Sequence, residues 1–124
     1  MKKYTGITHF FCAAKYSFDG FRAMLGEAAF RQELLAGVVA IPAAWLLPEL
    51  TLLWRVLLTV AWIGLVTAEI LNTAIEAVVD MVMPERHPLA KKAKDLGSAA
   101  VFCACTVNVL CWAAALWLVF FGAA

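Results

Sequence analysis

From about Thr8 to Gly26 the apolar positions recur with a helical period. Phe10, Phe11, Ala14, Phe18, Phe21 and Leu25 fall near one face, and Lys15, Asp19 and Arg22 fall on the other. An aromatic face opposite a basic one predicts a helix lying in a membrane interface, since no soluble core exists elsewhere in the chain to receive it. The pattern then changes. Beyond a charged connector, Glu27 to Glu33, the run from Leu34 to about Leu47 is apolar on every side and predicts a first span. It is short against the ~20 residues that cross a bilayer unless it borrows Ala28 to Glu33, and Pro42 predicts a bend in it. Pro48 and Glu49 make a turn. A second span, about 50–68, passes Arg55 near its outer end and stays uncharged to Glu69, with its helical pattern continuing through Asp80. Pro84 and Pro88 bracket a polar loop, Met83 to about Leu89. The basic run Lys91, Lys92 and Lys94 follows, and a third span covers about 98–121. Trp112, Trp117, Phe120 and Phe121 gather toward its end as an interfacial aromatic belt.

The chain of 124 residues has room for one domain, with the interfacial helix and connector over 1–33 and the spans beyond. Hydrophobic residues make up 65% and charged ones 15%, so the fold class is an all-α membrane protein, an amphipathic interfacial helix followed by three transmembrane helices. A soluble domain or a nucleic-acid binder is excluded by that balance. Three of the four cysteines, Cys103, Cys105 and Cys111, sit within one apolar run, where cysteine acts as a small hydrophobe. Neither a disulfide framework nor a zinc site is expected of them or of Cys12. Met1 to Gly6 lacks the apolar stretch of a signal peptide.

Charge placement orients the spans. Lys2, Lys3, Lys15, Arg22 and Arg31 precede the first span, and Arg86, Lys91, Lys92 and Lys94 lie between the second and third, leaving only Arg55 near the opposite side. The excess of Lys and Arg on cytoplasmic segments places the N-terminus and the second loop in the cytoplasm. Small residues in Gly97-Ser98-Ala99-Ala100, facing Ala68, Ala74 and Ala77, predict close packing of the second and third spans.

The chemistry is concentrated where the second span leaves the membrane. Glu69, Asn72, Glu76 and Asp80 share a stripe, because Glu76 and Asp80 each lie within ~20° of Glu69 around a helix turning ~100° per residue. Acidic residues at that depth mark a site. With Glu27, Glu33, Lys91, Lys92, Lys94 and Asp95 on the same membrane face, the residues are those that hold Mg²⁺ and a polyphosphate: hard oxygen ligands for the ion, cations for the phosphates. Glu69 is the deepest acid and the position for a general base; Glu76, nearer water, suits the ion. No phosphate-binding glycine loop of soluble nucleotide enzymes is present. The competing interpretation of the same residues is a structural ion-pair network, with Lys94 and Asp95 capping a helix and Glu76 paired to a lysine. Asp80 carries no role beyond helix-end electrostatics.

Glu69-Ile70-Leu71-Asn72-Thr73-Ala74-Ile75-Glu76-Ala77-Val78-Val79-Asp80, followed by Ala93-Lys94-Asp95-Leu96-Gly97-Ser98-Ala99-Ala100, closely resembles the prokaryotic diacylglycerol kinase family. Glu27-Ala28-Ala29-Phe30-Arg31-Gln32-Glu33 and Ala14-Lys15-Tyr16-Ser17 match its N-terminal blocks, so the resemblance covers nearly the whole chain. It implies a homotrimeric integral kinase with sites shared between subunits, which phosphorylates diacylglycerol with ATP and Mg²⁺ at the bacterial inner membrane. Carried over by position, it makes Glu69 the catalytic base and Glu27 and Glu76 the metal ligands. His9, Tyr16, Glu27, Glu76, Glu85, Arg86, His87, Lys94 and Asp95 become ATP contacts. Asn72, Arg55, Glu69, Ser98 and Trp112 fall to the lipid substrate, whose path the N-terminal helix also lines. His9 departs from the family pattern, standing where relatives have an arginine; the chain is also one residue shorter before Glu27 and one longer near Pro48. Undecaprenol is the alternative lipid substrate. A small proton-coupled transporter, with Glu69 as proton carrier, is the alternative from another class, and the lysines and further carboxylates at the same mouth count against it.

Overall fold

A computed structural model describes residues 6–122; the N-terminal positions counted above, Lys2 and Lys3 among them, lie outside the described residues. Four helices follow one another: α1 Ile7–Met24, α2 Ala28–Leu46, α3 Leu52–Val82 and α4 Pro88–Phe121. By length and composition α2, α3 and α4 are each apolar enough to cross a membrane. The chain divides into two compact units, one ending at Glu33 and the other beginning at Leu34.

In the first unit, α1 starts at Gly6, whose φ of 65° is a backbone conformation that glycine takes without steric cost. Phe10, Phe11, Phe18, Phe21 and Leu25 stay exposed, so the aromatic face has no partner within the unit. The Arg31 guanidinium Nη1 donates to the carbonyls of Leu25 and Gly26, both at 2.9 Å. The arginine therefore satisfies orphan carbonyls at the end of α1. Helix α2 begins at Ala28, so residues 28–33 are helical.

The second unit is built on α3 and α4, an antiparallel pair joined by a short turn around Pro84 to His87. Its apolar core lies at the far end from that turn, where Ala44, Leu50, Leu58 and Ala115 are buried and Trp54, Cys111 and Trp112 pack against them. Between core and turn, two polar features fix how the helices sit. Asn108 Nδ2 on α4 donates across to the Ala61 carbonyl on α3 at 2.8 Å and back to Ala104 at 3.0 Å. Further on, Gly97 is fully packed on Asn72: a Cβ there would collide with Asn72 Oδ1. Eleven residues along α3, from Ala61 to Asn72, match eleven back along α4, from Asn108 to Gly97, so the pairing holds one register between these points. On the other side of α3, Trp45 Nε1 on α2 donates to Thr59 Oγ1 at 3.0 Å, and the Trp62 ring fills the space that a side chain at Gly37 would need.

The expected packing of the second and third spans is present, but of the small residues expected to make it only Gly97 and Ala68 lie at the seam. Ala74, Ala77, Ser98, Ala99 and Ala100 are exposed, while Gly97 is buried. The reason is helical phase. Ala61, Leu65, Ala68 and Asn72 follow one another at three- and four-residue steps and form the seam. Ala74 and Ala77 lie ~200° and ~140° around the helix from Asn72 and point away from it.

Candidate functional site

The acidic stripe flanks the α3–α4 seam. Around α3, Glu69 and Glu76 fall on the same side of Asn72, ~60° and ~40° away. Glu69, Asn72 and Glu76 are half-buried, and Asp80, the last of the stripe, is exposed. Asn72 Nδ2 donates to Glu76 Oε1 at 3.2 Å, and Asn72 Oδ1 is buried against Gly97 with no hydrogen-bond partner among the described residues. Gly97 thus sets where the carboxamide sits, and the carboxamide in turn holds one oxygen of Glu76. Among the described residues Glu76 has no lysine partner, which the ion-pair network would have required.

Where α3 ends and α4 begins, the chain lines an open cavity of about 730 Å³, within the ~300–1,000 Å³ of small-molecule sites. Its lining includes Asp80, Glu85, Arg86, His87, Lys91, Lys94 and Asp95. Five of the residues assigned to the nucleotide on resemblance, Glu85, Arg86, His87, Lys94 and Asp95, are brought together here. Pro88 opens α4 at a position where a missing N–H costs nothing, and His87 caps it, Nδ1 accepting from the Leu89 amide at 3.1 Å. An accepting Nδ1 leaves the neutral ring's proton on Nε2, which is therefore a donor. The helix cap is His87, not Lys94 or Asp95.

Lys94 instead reaches across from α4 to Asp80 on α3, Nζ to Oδ1 2.5 Å, and Lys91 pairs with Asp95 one turn on, also at 2.5 Å. The cavity lining carries three acids (Asp80, Glu85, Asp95) and three bases (Arg86, Lys91, Lys94), so it is electrically balanced as it stands. Arg86 is the lining cation with no ion-pair partner among the described residues.

The remaining predicted residues are divided between the two units. His9, Tyr16 and Glu27 are exposed in the first unit, and Ser98 is exposed on α4. Arg55 and Trp112 are at the core end; Arg55 is fourteen residues from Glu69 along α3, ~21 Å at 1.5 Å per residue. Its Nη2 donates to the Leu47 carbonyl at 2.9 Å, closing the end of α2, and Trp112 packs on the apolar core. Among the described residues no group of three or more His, Cys, Asp or Glu side chains stands close enough to hold a metal ion. Two contributors escaped sequence reasoning. Asn108 was visible as a lone carboxamide inside an uncharged apolar run, the kind of residue that bonds between membrane helices. Asp80 was visible on the stripe, but its lysine partner was not.

An all-helical chain with three span-capable helices and a charged, ligand-sized cavity at one end of a helix pair is a small integral membrane protein. Comparison with known proteins narrows this. The family description "Prokaryotic diacylglycerol kinase" matches residues 15–116. The chain is 48% identical over 116 residues to a diacylglycerol kinase of Pseudomonas aeruginosa, covering 93% of this chain and 94% of the relative. It is 47% identical over 115 residues to one of Escherichia coli (91% and 93%), and 38% over 111 residues to one of Helicobacter pylori (89% and 86%). The chain belongs to the prokaryotic diacylglycerol kinase family.

Proposed function

We propose that this chain phosphorylates diacylglycerol to phosphatidic acid, taking the γ-phosphoryl group of ATP with Mg²⁺ at the cytoplasmic face of the bacterial inner membrane. The observation that carries the reading is the continuity of the polar residues. They run from the half-buried Glu69, through Asn72 and Glu76, to a nucleotide-sized cavity at the α3–α4 turn. A lipid hydroxyl approaches from the membrane and a nucleotide from water, and a stripe that spans both depths is where they can meet.

The Glu69 carboxylate takes the proton of the lipid hydroxyl as that oxygen bonds to the γ-phosphorus. The bond from phosphorus to the β–γ bridging oxygen breaks, and its electron pair leaves with ADP. Lys94, Arg86 and the His87 Nε2–H supply positive charge and donors to the phosphates, which is most of what phosphoryl transfer asks of a protein. Glu76 fits an ion-binding role: it offers hard carboxylate oxygens, half-buried and held by Asn72, and a nucleotide-bound Mg²⁺ needs only one or two protein carboxylates. The ion, when bound, neutralises charge on the phosphoryl oxygens. Glu27 keeps the metal role, and His9 and Tyr16 the nucleotide roles, that the family resemblance gives them. Arg55, Ser98 and Trp112 belong to the lipid path on the same ground.

The active unit is a homotrimer. Two long helices and a third shorter one leave most of their apolar surface uncovered, and a single chain has little interior in which to enclose both a lipid head and a nucleotide. The N-terminus and the α3–α4 turn face the cytoplasm, where the lysines and arginines concentrate.

The test is transfer of the ATP γ-phosphate to diacylglycerol and to undecaprenol, with purified full-length protein in mixed micelles. Mg²⁺-dependent transfer to diacylglycerol is expected. Transfer to neither lipid refutes the kinase reading, and faster transfer to undecaprenol reassigns the substrate.

A further inference from the structure

Asp80 is the one member of the acidic stripe that the proposed chemistry does not use, and among the described residues it is the one held in an ion pair. We infer that Asp80 competes with the nucleotide for Lys94, so that it sets how tightly the phosphates are held. The inference rests on the nucleotide reading of the cavity.

Three features carry it. Lys94 Nζ lies on Asp80 Oδ1 across the α3–α4 seam, and both residues line the cavity. A lysine that serves phosphate must therefore first leave a carboxylate. The pair is also exposed, with 39% of the Lys94 side chain and 62% of the Asp80 side chain open to solvent, so water and salt weaken it. A buried pair would be locked; this one exchanges at small cost. Finally, the lining is already neutral, with three acids against three bases, and Lys91 is engaged by Asp95 in the same manner. An anion entering such a cavity finds Arg86 available and must win Lys94 from its partner. When the product nucleotide leaves, Asp80 takes the lysine back, which favours release.

The chemistry gives the sign. Removing the Asp80 charge frees Lys94 and also removes a negative charge from the cavity, so nucleotide binding tightens. Exposed ion pairs are worth at most a factor of about five in an equilibrium constant, and the gain from Asp80→Asn is of that order. A residue that merely oriented Lys94 for phosphate would behave in the opposite way.

The experiment measures equilibrium binding of a non-hydrolysable Mg-ATP analogue to the full chain in detergent, for the unaltered protein, Asp80→Asn, Lys94→Met and the double variant. Asp80→Ser serves as a second way of removing the carboxylate. The expected result is about fivefold tighter binding in Asp80→Asn, shrinking to less than about twofold when Lys94 is already methionine. Weaker or unchanged binding in both Asp80 variants overturns the competition. So does an equal gain with and without Lys94, which would make Asp80 a diffuse charge acting independently of the lysine. Failure of the unaltered, folded protein to bind the analogue at all overturns the nucleotide reading and this inference together, and is distinguishable from the other outcomes.

Discussion

Gly97→Ala adds one methyl group at the point where α4 comes closest to the acidic stripe, and its consequence can be worked from the contacts. The new Cβ would overlap Asn72 Oδ1, approach Asn72 Cγ to 3.3 Å and stand 3.7 Å from Asn72 Cα. The last distance is an ordinary contact, so the two helices need not separate; the carboxamide must turn instead. Turning it gives up the bond from Asn72 Nδ2 to Glu76 Oε1, a hydrogen bond to a charged group worth ~1.5–3 kcal/mol. If that stabilisation matters fully in the transition state, kcat/KM falls ~10- to 100-fold, at 1.36 kcal/mol per tenfold. The folded state loses less, because the helix gains ~1 kcal/mol of propensity from Gly to Ala against ~1–3 kcal/mol of overpacking. The assay is phosphate transfer in mixed micelles, with thermal unfolding followed in parallel. Asn72→Ala supplies the second arm, since Gly97→Ala should add little once the carboxamide is gone. Retained turnover in Gly97→Ala, or full additivity with Asn72→Ala, would refute the view that Gly97 acts by placing Asn72.

Glu69→Gln should keep the fold and nucleotide binding and lose most turnover; turnover within tenfold of the parent removes Glu69 as the base. Asn108→Ala deletes the interhelical bond to the Ala61 carbonyl, and should lower stability by ~0.6–1.7 kcal/mol in unfolding from mixed micelles while turnover per folded protein holds; an unchanged unfolding midpoint contradicts the bond's contribution. His87→Ala removes the cap of α4 and a cavity donor together, whereas His87→Asn can still accept from the Leu89 amide. Amide exchange at the start of α4 should therefore speed up in the alanine variant alone, by the ~1 kcal/mol of a lost cap, and equal protection in both variants would rule the cap out.

The elements were legible because membrane spans announce themselves: nothing but a spanning helix explains the uncharged run from Leu96 onward. The acidic stripe was legible because its spacing falls on one face of a helix whatever surrounds it. Loop residues Glu85, Arg86 and His87 and the α4 residues Lys94 and Asp95 could be assigned to one site from the resemblance, and they do line one cavity. What could not be read was which neighbour each side chain selects. Small residues occur on several faces of α3, so Ala74 and Ala77 were as eligible for the seam as Ala68, and only the phase of the packed pair separates them. Lys94 shares its cavity with three acids, Asp80, Glu85 and Asp95, and its choice of Asp80 follows from register. Arg55 presents the same difficulty: its charge was evident, but its bond to the Leu47 carbonyl depends on how α2 turns into α3.

Register is therefore the property on which the site depends most. A slip of one residue between α3 and α4 displaces one helix along the other by ~1.5 Å and turns its side chains by ~100°. Lys94 would then leave Asp80, and Gly97 would no longer face Asn72. Misplacements of ~1 Å can cost a hundredfold in rate, so a thin helix pair in lipid, with no hydrophobic drive to hold the helices together, needs specific locks. Two are present, and they are of different kinds. Asn108 bonds a backbone carbonyl that is fixed in α3, which defines a distance along the axis. Gly97 admits Asn72 by lacking a side chain, which defines a rotation about it. A translational lock and a rotational lock, eleven residues apart, suffice to specify how two rigid helices lie together over that length. The apolar core at one end and the cavity at the other can then differ completely in chemistry, because neither has to supply the alignment on which the proposed transfer depends.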